Sequence, residues 1–410
     1  MGDWQSSGER ENSSLAVPIK YDMQIFVSAI MLPILCFIRR STAPAARAVR
    51  PPRLTTTTTC RTVRQIQTWS NPPRQHRRQT PAASSFSTST TAKTNTPGKT
   101  TSDSKSSNPN PNSNILRLPS GRTLEYHTYG PRTGFPVLYI HGTPDSGATL
   151  SGFETRLAHR LNLRWIAPER PGIGESTFSP GRSVLGYPAD IRALIRHLGI
   201  EQFAILGVSG GTGYALACAR AFSKEMLKGV GICAGVGPVE AGFQGQNALV
   251  SEVLTAWREY PREMAAAIDA SYVAAVQDAD DPGRLERLWK ESLVSSFSAE
   301  DRHVLLSGDA MNSALRVLRQ VYKHGSAAHA EEVRLMTQPW GFRLEDVGFE
   351  GIRLWYGELD TNTPPRMGRY MAERLPGALY REFPGKSHYS IWCEEIVGEM
   401  VGELLQRVQK

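Results

Sequence analysis

The stretch FAILGVSGGTGYALACARA, residues 203–221, decides how the chain is to be read. Its opening FAIL is an unbroken apolar run of strand character, and from Thr212 onward the composition is helical. Between the two lies Gly207-Val208-Ser209-Gly210-Gly211, which is G-x-S-x-G in a strand, sharp turn, helix setting. A serine on so tight a turn sits in strained backbone, and the residues two before and two after it must be small for strand and helix to approach. The hydroxyl is thereby raised above the sheet edge at a helix N-terminus, whose positive end favours developing negative charge. Two phosphate-binding readings of the same turn fail. A P-loop needs Lys followed by Ser or Thr, which is absent, and G-x-G-x-x-G starting at Gly211 needs glycine where Leu216 stands.

A serine hydroxyl is a weak nucleophile; it needs a base, and the base needs an orienting acid. Downstream, an apolar run at 352–356 leads into Gly357-Glu358-Leu359-Asp360, which puts Asp360 on the loop leaving a strand end. Glu358 competes for the role of acid, but alternation places it one step nearer the strand, which favours Asp360. The next run, 379–383, leads to Pro384-Gly385-Lys386-Ser387-His388 and a final helix over about 391–408. The order Ser209, Asp360, His388 thus has all three on loops at strand ends. The tetrahedral intermediate of acyl transfer also needs two preorganised N–H donors. Gly210, just after the nucleophile, and Thr143, in the loop His141-Gly142-Thr143-Pro144-Asp145 after the run 136–140, are the candidates. His141 precedes the acid in the chain and suits a loop-bracing hydrogen bond better than the role of base.

Working outward, strand-like runs fall at 115–118, 123–128, 136–140, 164–167, 203–208, 229–234, 352–356 and 379–383, with helical patterns between them. That alternation is the signature of a mostly parallel eight-stranded sheet with helices on both faces. Over 183–198, Val184, Tyr187, Ile191, Leu194, Ile195 and Leu198 recur at helical spacing and give one apolar face. The strand rhythm stops at Pro238. From 238 to about 347 the chain reads as an inserted helical unit, with helical patterns at 250–260, 261–276, 284–294 and 313–322. The expected division is therefore 114–237 and 348–410 for the two parts of the sheet domain, 238–347 for the helical cap and 1–113 for an N-terminal extension.

The 410 residues carry 47 basic and 39 acidic side chains, a formal charge of +8, but 15 basic and only 5 acidic ones fall in 1–113. The remainder is near neutral, so the basic balance belongs to the extension and provides no groove for nucleic acid. Residues 23–102 contain no Asp or Glu, while ten arginines stand among Ser, Thr, Pro and Ala. This matches a mitochondrial transit peptide, with 92–113 a polar linker expected to be disordered. The rival reading takes the apolar run 25–38 as a membrane anchor or secretory signal, although a spanning helix needs about 20 residues. Any membrane contact would be made through this segment alone. Five cysteines without a C-x-x-C pair indicate neither a disulfide framework nor a zinc site, and Cys218, Cys233 and Cys393 read as reduced packing residues.

HGTPDSG (141–147), ERPGIGES (169–176), GVSGGTGYALA (207–217), PWGFRLEDV (339–347), WYGELDTNTP (355–364) and FPGKSHYS (383–390) together resemble the α/β-hydrolase superfamily, in its branch with a helical cap inserted after the sixth strand. The resemblance implies a Ser209, Asp360, His388 triad with oxyanion donors from Thr143 and Gly210, acting without metal or organic cofactor on a small-molecule acyl substrate. Relatives with an aspartate nucleophile open epoxides or displace halide, and Ser209 in that slot argues against both. Peptidase relatives that remove N-terminal proline tend to show two glycines after the first-motif histidine, where this chain has Gly142-Thr143. The expected activity is hydrolysis of an ester, thioester or related acyl bond. Acyl transfer with the same triad and a catalytically silent ligand-binding homologue are the alternatives. The cap aromatics Trp257, Tyr260, Tyr272, Trp289, Trp340 and Phe342 suit an apolar acyl or ring moiety.

Overall fold

All eight strand-like runs become strands of a single sheet. The computed structural model describes residues 113–150, 152–296, 306 and 308–406. The transit-peptide reading, the run 25–38, Cys36 and Cys60 therefore lie outside the described residues. The strands are β1 (Ser113–Arg117), β2 (Thr123–Tyr129), β3 (Phe135–Ile140), β4 (Leu163–Pro168), β5 (Phe203–Val208), β6 (Leu227–Cys233), β7 (Arg353–Gly357) and β8 (Leu379–Phe383). Each lies within two residues of its expected place. β1 starts two residues early because Ser113 already pairs with His127 of β2.

Sheet order is β1-β2-β4-β3-β5-β6-β7-β8. β2 runs antiparallel to both neighbours, and β4, β3, β5, β6, β7 and β8 are mutually parallel. The inner parallel strands β3, β5, β6 and β7 are covered on both faces, which is why they read as apolar runs, whereas the edge strand β8 leaves Leu379 and Arg381 exposed. Alternate residues go to opposite sides. Leu138, Ile140, Phe203, Ile205, Val230, Ile232, Leu354 and Tyr356 belong to the core on one face. Val137, Tyr139, Ala204, Leu206, Val208, Cys233 and Trp355 belong to the core on the other.

Helices α1 (Phe153–Arg160), α2 (Tyr187–Leu198) and α3 (Thr212–Ala221) follow β3, β4 and β5. In α2, Tyr187, Ile191, Leu194 and Ile195 are buried as the periodicity required, and Gly199 closes the helix in a left-handed conformation with φ 63°. Val184 is buried in a short 3-10 turn before α2 rather than in the helix itself.

Between β6 and β7 come α4 (Ala248–Glu259), α5 (Pro261–Ile268), a π-type stretch at Asp269–Val273 that runs into α6 (Ala274–Gln277), α7 (Arg284–Ser296), α8 (Gly308–Val321) and α9 (Ala327–Met336). These helices bury a core of their own around Trp257, Met264, Tyr272, Trp289, Leu318 and Tyr322. The sheet domain resumes with β7, α10 (Pro365–Ala372), β8 and α11 (Glu394–Leu405). Cys218, Cys233 and Cys393 are free thiols buried in the packing. No helix among the described residues is long and apolar enough to cross a membrane.

Candidate active site

Ser209 stands at the junction of β5 and α3 with φ 49°, a left-handed conformation that costs a non-glycine residue about 1–3 kcal/mol. Its carbonyl is held on both sides, by the Val236 N–H at 3.0 Å and the Thr212 hydroxyl at 2.7 Å. The flanking glycines are a matter of space. A Cβ on Gly207 would lie 2.7 Å from the Ala215 Cβ, and one on Gly211 would lie 2.3 Å from the Ile140 carbonyl oxygen. Glycine at both places is what lets strand and helix approach this closely.

Asp360, on the loop after β7, is buried and saturated with donors. Its Oδ1 accepts the N–H groups of Asn362 and Thr363, both at 2.8 Å. Its Oδ2 accepts the Thr363 hydroxyl at 2.9 Å and lies 2.7 Å from His388 Nδ1. An ionised carboxylate only accepts, so the imidazole proton sits on Nδ1 and leaves Nε2 free to take one. His388 rides on a turn in which Ser387 N–H donates to the Ser390 hydroxyl at 2.7 Å and Ser390 N–H returns the bond to Ser387 at 3.1 Å. Trp392 anchors that turn. Its ring packs 5.7 Å from Tyr139, and its indole N–H donates to Glu154 at 2.9 Å. Glu358, the competing acid, is exposed and accepts the Gly385 N–H at 2.9 Å.

Ser209, His388 and Thr143 line one cavity together with Val236, Phe243, Gln246, Val250, Leu254, Met336, Thr337, Asn362 and Thr363. Among the described residues His388 is hydrogen-bonded to Asp360 and lies 3.0 Å from the Thr363 hydroxyl, and it is not hydrogen-bonded to Ser209. The centres of water-sized molecules have about 30 Å³ open to them inside. None of the six aromatic residues singled out in the helical segment lines it: Trp257, Tyr272 and Trp289 serve the helical core, Trp340 and Phe342 pack on the sheet core, and Tyr260 is exposed. The wall comes instead from Phe243, Val250, Leu254 and Met336.

Thr143 and Gly210 abut. A Cβ on Gly210 would lie 2.6 Å from the Thr143 hydroxyl. The loop 141–146 that carries Thr143 is braced from within. His141 Nδ1 lies 3.0 Å from the Gly142 carbonyl, and Asp145 accepts the N–H groups of Gly142 at 3.1 Å and Ser146 at 2.7 Å. Burial drives His141 down to about 4, with the Arg170 charge acting in the same direction, so the imidazole stays neutral. Burial pushes the Asp145 carboxyl up to about 7 in spite of those two amides. Sequence reasoning missed the next shell, Arg170 and Glu332. Arg170 is the second residue of the ERPG motif, and Glu332 lies on α9, a helix without a strong apolar stripe. No group of His, Cys, Asp and Glu suited to a metal occurs among the described residues.

The profile of the alpha/beta hydrolase fold matches residues 136–395. The chain belongs to the α/β-hydrolase family. A serine hydrolase-like protein of Danio rerio is 31% identical to this α/β-hydrolase over 110 residues, which is 26% of this chain and 33% of that one. An esterase, RhEst1, from Rhodococcus sp. ECU1013 superimposes with a TM-score of 0.50 at 18% identity, over 73% of this chain and 99% of the other. A bromoperoxidase from Bacillus anthracis does so with a TM-score of 0.48 at 17% identity, over 73% and 100%. At these identities the likeness to solved structures is one of fold.

Proposed function

We propose that this α/β-hydrolase cleaves an ester, thioester or related acyl bond through an acyl-enzyme on Ser209. The observation that carries the reading is the buried Asp360–His388 pair, 2.7 Å apart, whose histidine lines the same cavity as a serine held at φ 49°. In the first half-reaction Ser209 Oγ bonds to the acyl carbon as its proton passes to His388 Nε2. The oxyanion is met by the N–H groups of Gly210 and Thr143, and the histidine returns the proton to the leaving group as the old bond breaks. Water then repeats the sequence and releases the acid and the free serine. The apolar wall favours an apolar acyl chain.

The test is Ser209→Ala. Turnover of p-nitrophenyl acetate and labelling by a serine-directed fluorophosphonate should both vanish while the folded state persists; a variant that keeps wild-type turnover refutes the assignment. We also propose that residues 1–113 direct the chain to mitochondria, and sequencing the N-terminus of the mature organellar protein tests this.

A further inference from the structure

The densest buried charge outside the triad lies where α9 meets the oxyanion loop. Arg170, fully buried, donates through Nη1 to the His141 carbonyl at 2.5 Å, and through Nη2 to the Gly142 carbonyl at 2.6 Å and the Thr143 hydroxyl at 2.8 Å. One guanidinium thus grips three consecutive residues of the loop that carries Thr143. Its Nε lies 2.7 Å from Glu332 Oε2 as an ion pair without a hydrogen bond, and Glu332 also takes the Thr143 hydroxyl at 3.2 Å, the Tyr214 hydroxyl at 3.1 Å and an ion pair with Arg182. The two cations and the carboxylate are almost wholly buried.

Desolvating such ions costs several kcal/mol each, and a buried ion pair is often no more stabilising than apolar residues of similar size. Stability alone is therefore a poor reason for this cluster. What it does fix is geometry, because a planar fork on two carbonyls and a hydroxyl leaves the loop little freedom. The same helix also reaches the other oxyanion residue: Met336 and the Thr337 that follows line the cavity, and a Cβ on Gly210 would lie 2.9 Å from the Met336 sulfur.

We infer that Glu332 is a positioning residue which, by holding Arg170, aims the Thr143 N–H at the oxyanion. It does so only while α9 is seated on the sheet domain. Closure of the helical segment then completes the oxyanion site, so an open form admits substrate without being able to turn it over. The inference rests on the proposed hydrolase reading.

The experiment compares full-length wild type with Glu332→Gln on p-nitrophenyl acetate. Glutamine keeps the length of the side chain and can still bond to Tyr214 and Thr143, but it leaves Arg170 without its counter-charge. Loss of an oxyanion donor outright costs about a hundred- to a thousandfold, so a misaimed one should cost about ten- to a hundredfold in kcat with KM within about twofold. Glu332→Asp, which restores the charge on a shorter stem, should recover part of the loss. Wild-type kcat in Glu332→Gln, or a raised KM at wild-type kcat, overturns the inference.

Should Glu332→Gln not fold, Thr143→Val takes its place. It removes the hydroxyl that Arg170 and Glu332 hold and leaves the amide. A lower kcat at constant KM supports the inference, and an unchanged kcat overturns it. A wild-type protein that neither hydrolyses the ester nor labels at Ser209 sinks the hydrolase reading and this inference together. An active, labelled wild type beside indifferent variants sinks only the positioning role.

Discussion

Asp360→Asn removes a charge from the partner of His388 while barely altering its shape, and the structure dictates how the amide must sit. Asp360 Oδ1 faces two backbone N–H groups at 2.8 Å, from Asn362 and Thr363, so that corner has to stay an oxygen. The NH₂ is then forced into the Oδ2 position, 2.7 Å from His388 Nδ1 and 2.9 Å from the Thr363 hydroxyl. A donor opposite Nδ1 makes that nitrogen an acceptor and sends the single imidazole proton to Nε2, the atom required to accept from Ser209. The wrong tautomer in a Ser-His-Asp triad costs about ten-thousandfold in kcat, which is roughly 5.5 kcal/mol on the barrier. Stability should change far less. The Thr363 hydroxyl can accept from the new NH₂ while donating to the Ala234 carbonyl at 2.8 Å, so the net change is on the order of one hydrogen bond, about 1 kcal/mol. Steady-state kinetics on p-nitrophenyl acetate with a thermal melt of the same sample separate the two quantities. A variant within tenfold of wild-type kcat at an unchanged Tm would refute the role given to Asp360.

Glu358→Gln should leave kcat/KM within about twofold, since Glu358 is exposed and bonds to Gly385 N–H; a loss as deep as that of Asp360→Asn would transfer the acid role to it. Gly211→Ala places a methyl 2.3 Å from the Ile140 carbonyl oxygen and 2.8 Å from that of His141, neither able to swing aside. Overpacking of this kind costs about 1–3 kcal/mol, and it should also lower the rate of fluorophosphonate labelling; wild-type Tm and labelling would contradict the elbow geometry. Asp145 has its carboxyl raised by burial from 3.8 to about 7, so the folded state holds its proton more tightly. The stabilisation is whole below about pH 4 and is lost as pH rises through about 7. Asp145→Asn should therefore flatten the fall in Tm across that window, and a slope equal to that of wild type would count against the shift.

The strands were legible because their physics is local. A parallel strand covered on both faces must be apolar throughout, and 203–208 and 352–356 could hardly be anything else. The Asp360–His388 pair was legible because each residue lies on the loop that follows a strand-like run. Sheet order was not. That β4 lies between β2 and β3 is a matter of long-range pairing, on which alternation is silent. The cavity wall was equally hidden: Trp257 and Trp289 occupy helical apolar stripes as Val250 and Leu254 do, and only the packing keeps the first two inside the helical core and brings the other two to the cavity, Leu254 touching both. Glu332 was the hardest to find. On α9 it resembles any solvated acid of a helix face, and its burial follows from the approach of Arg170 and Arg182, more than a hundred positions away in the chain.

The order of the site along the chain has a consequence for its synthesis. Thr143, Ser209 and Gly210 precede the helices between β6 and β7, and Asp360 and His388 follow them. Ser209 therefore leaves the ribosome roughly 180 residues ahead of His388, and under the proposed function a chain released early would be inert toward esters. Dividing the gene within that interval would give two silent fragments, and hydrolysis on mixing them would report that the halves had met.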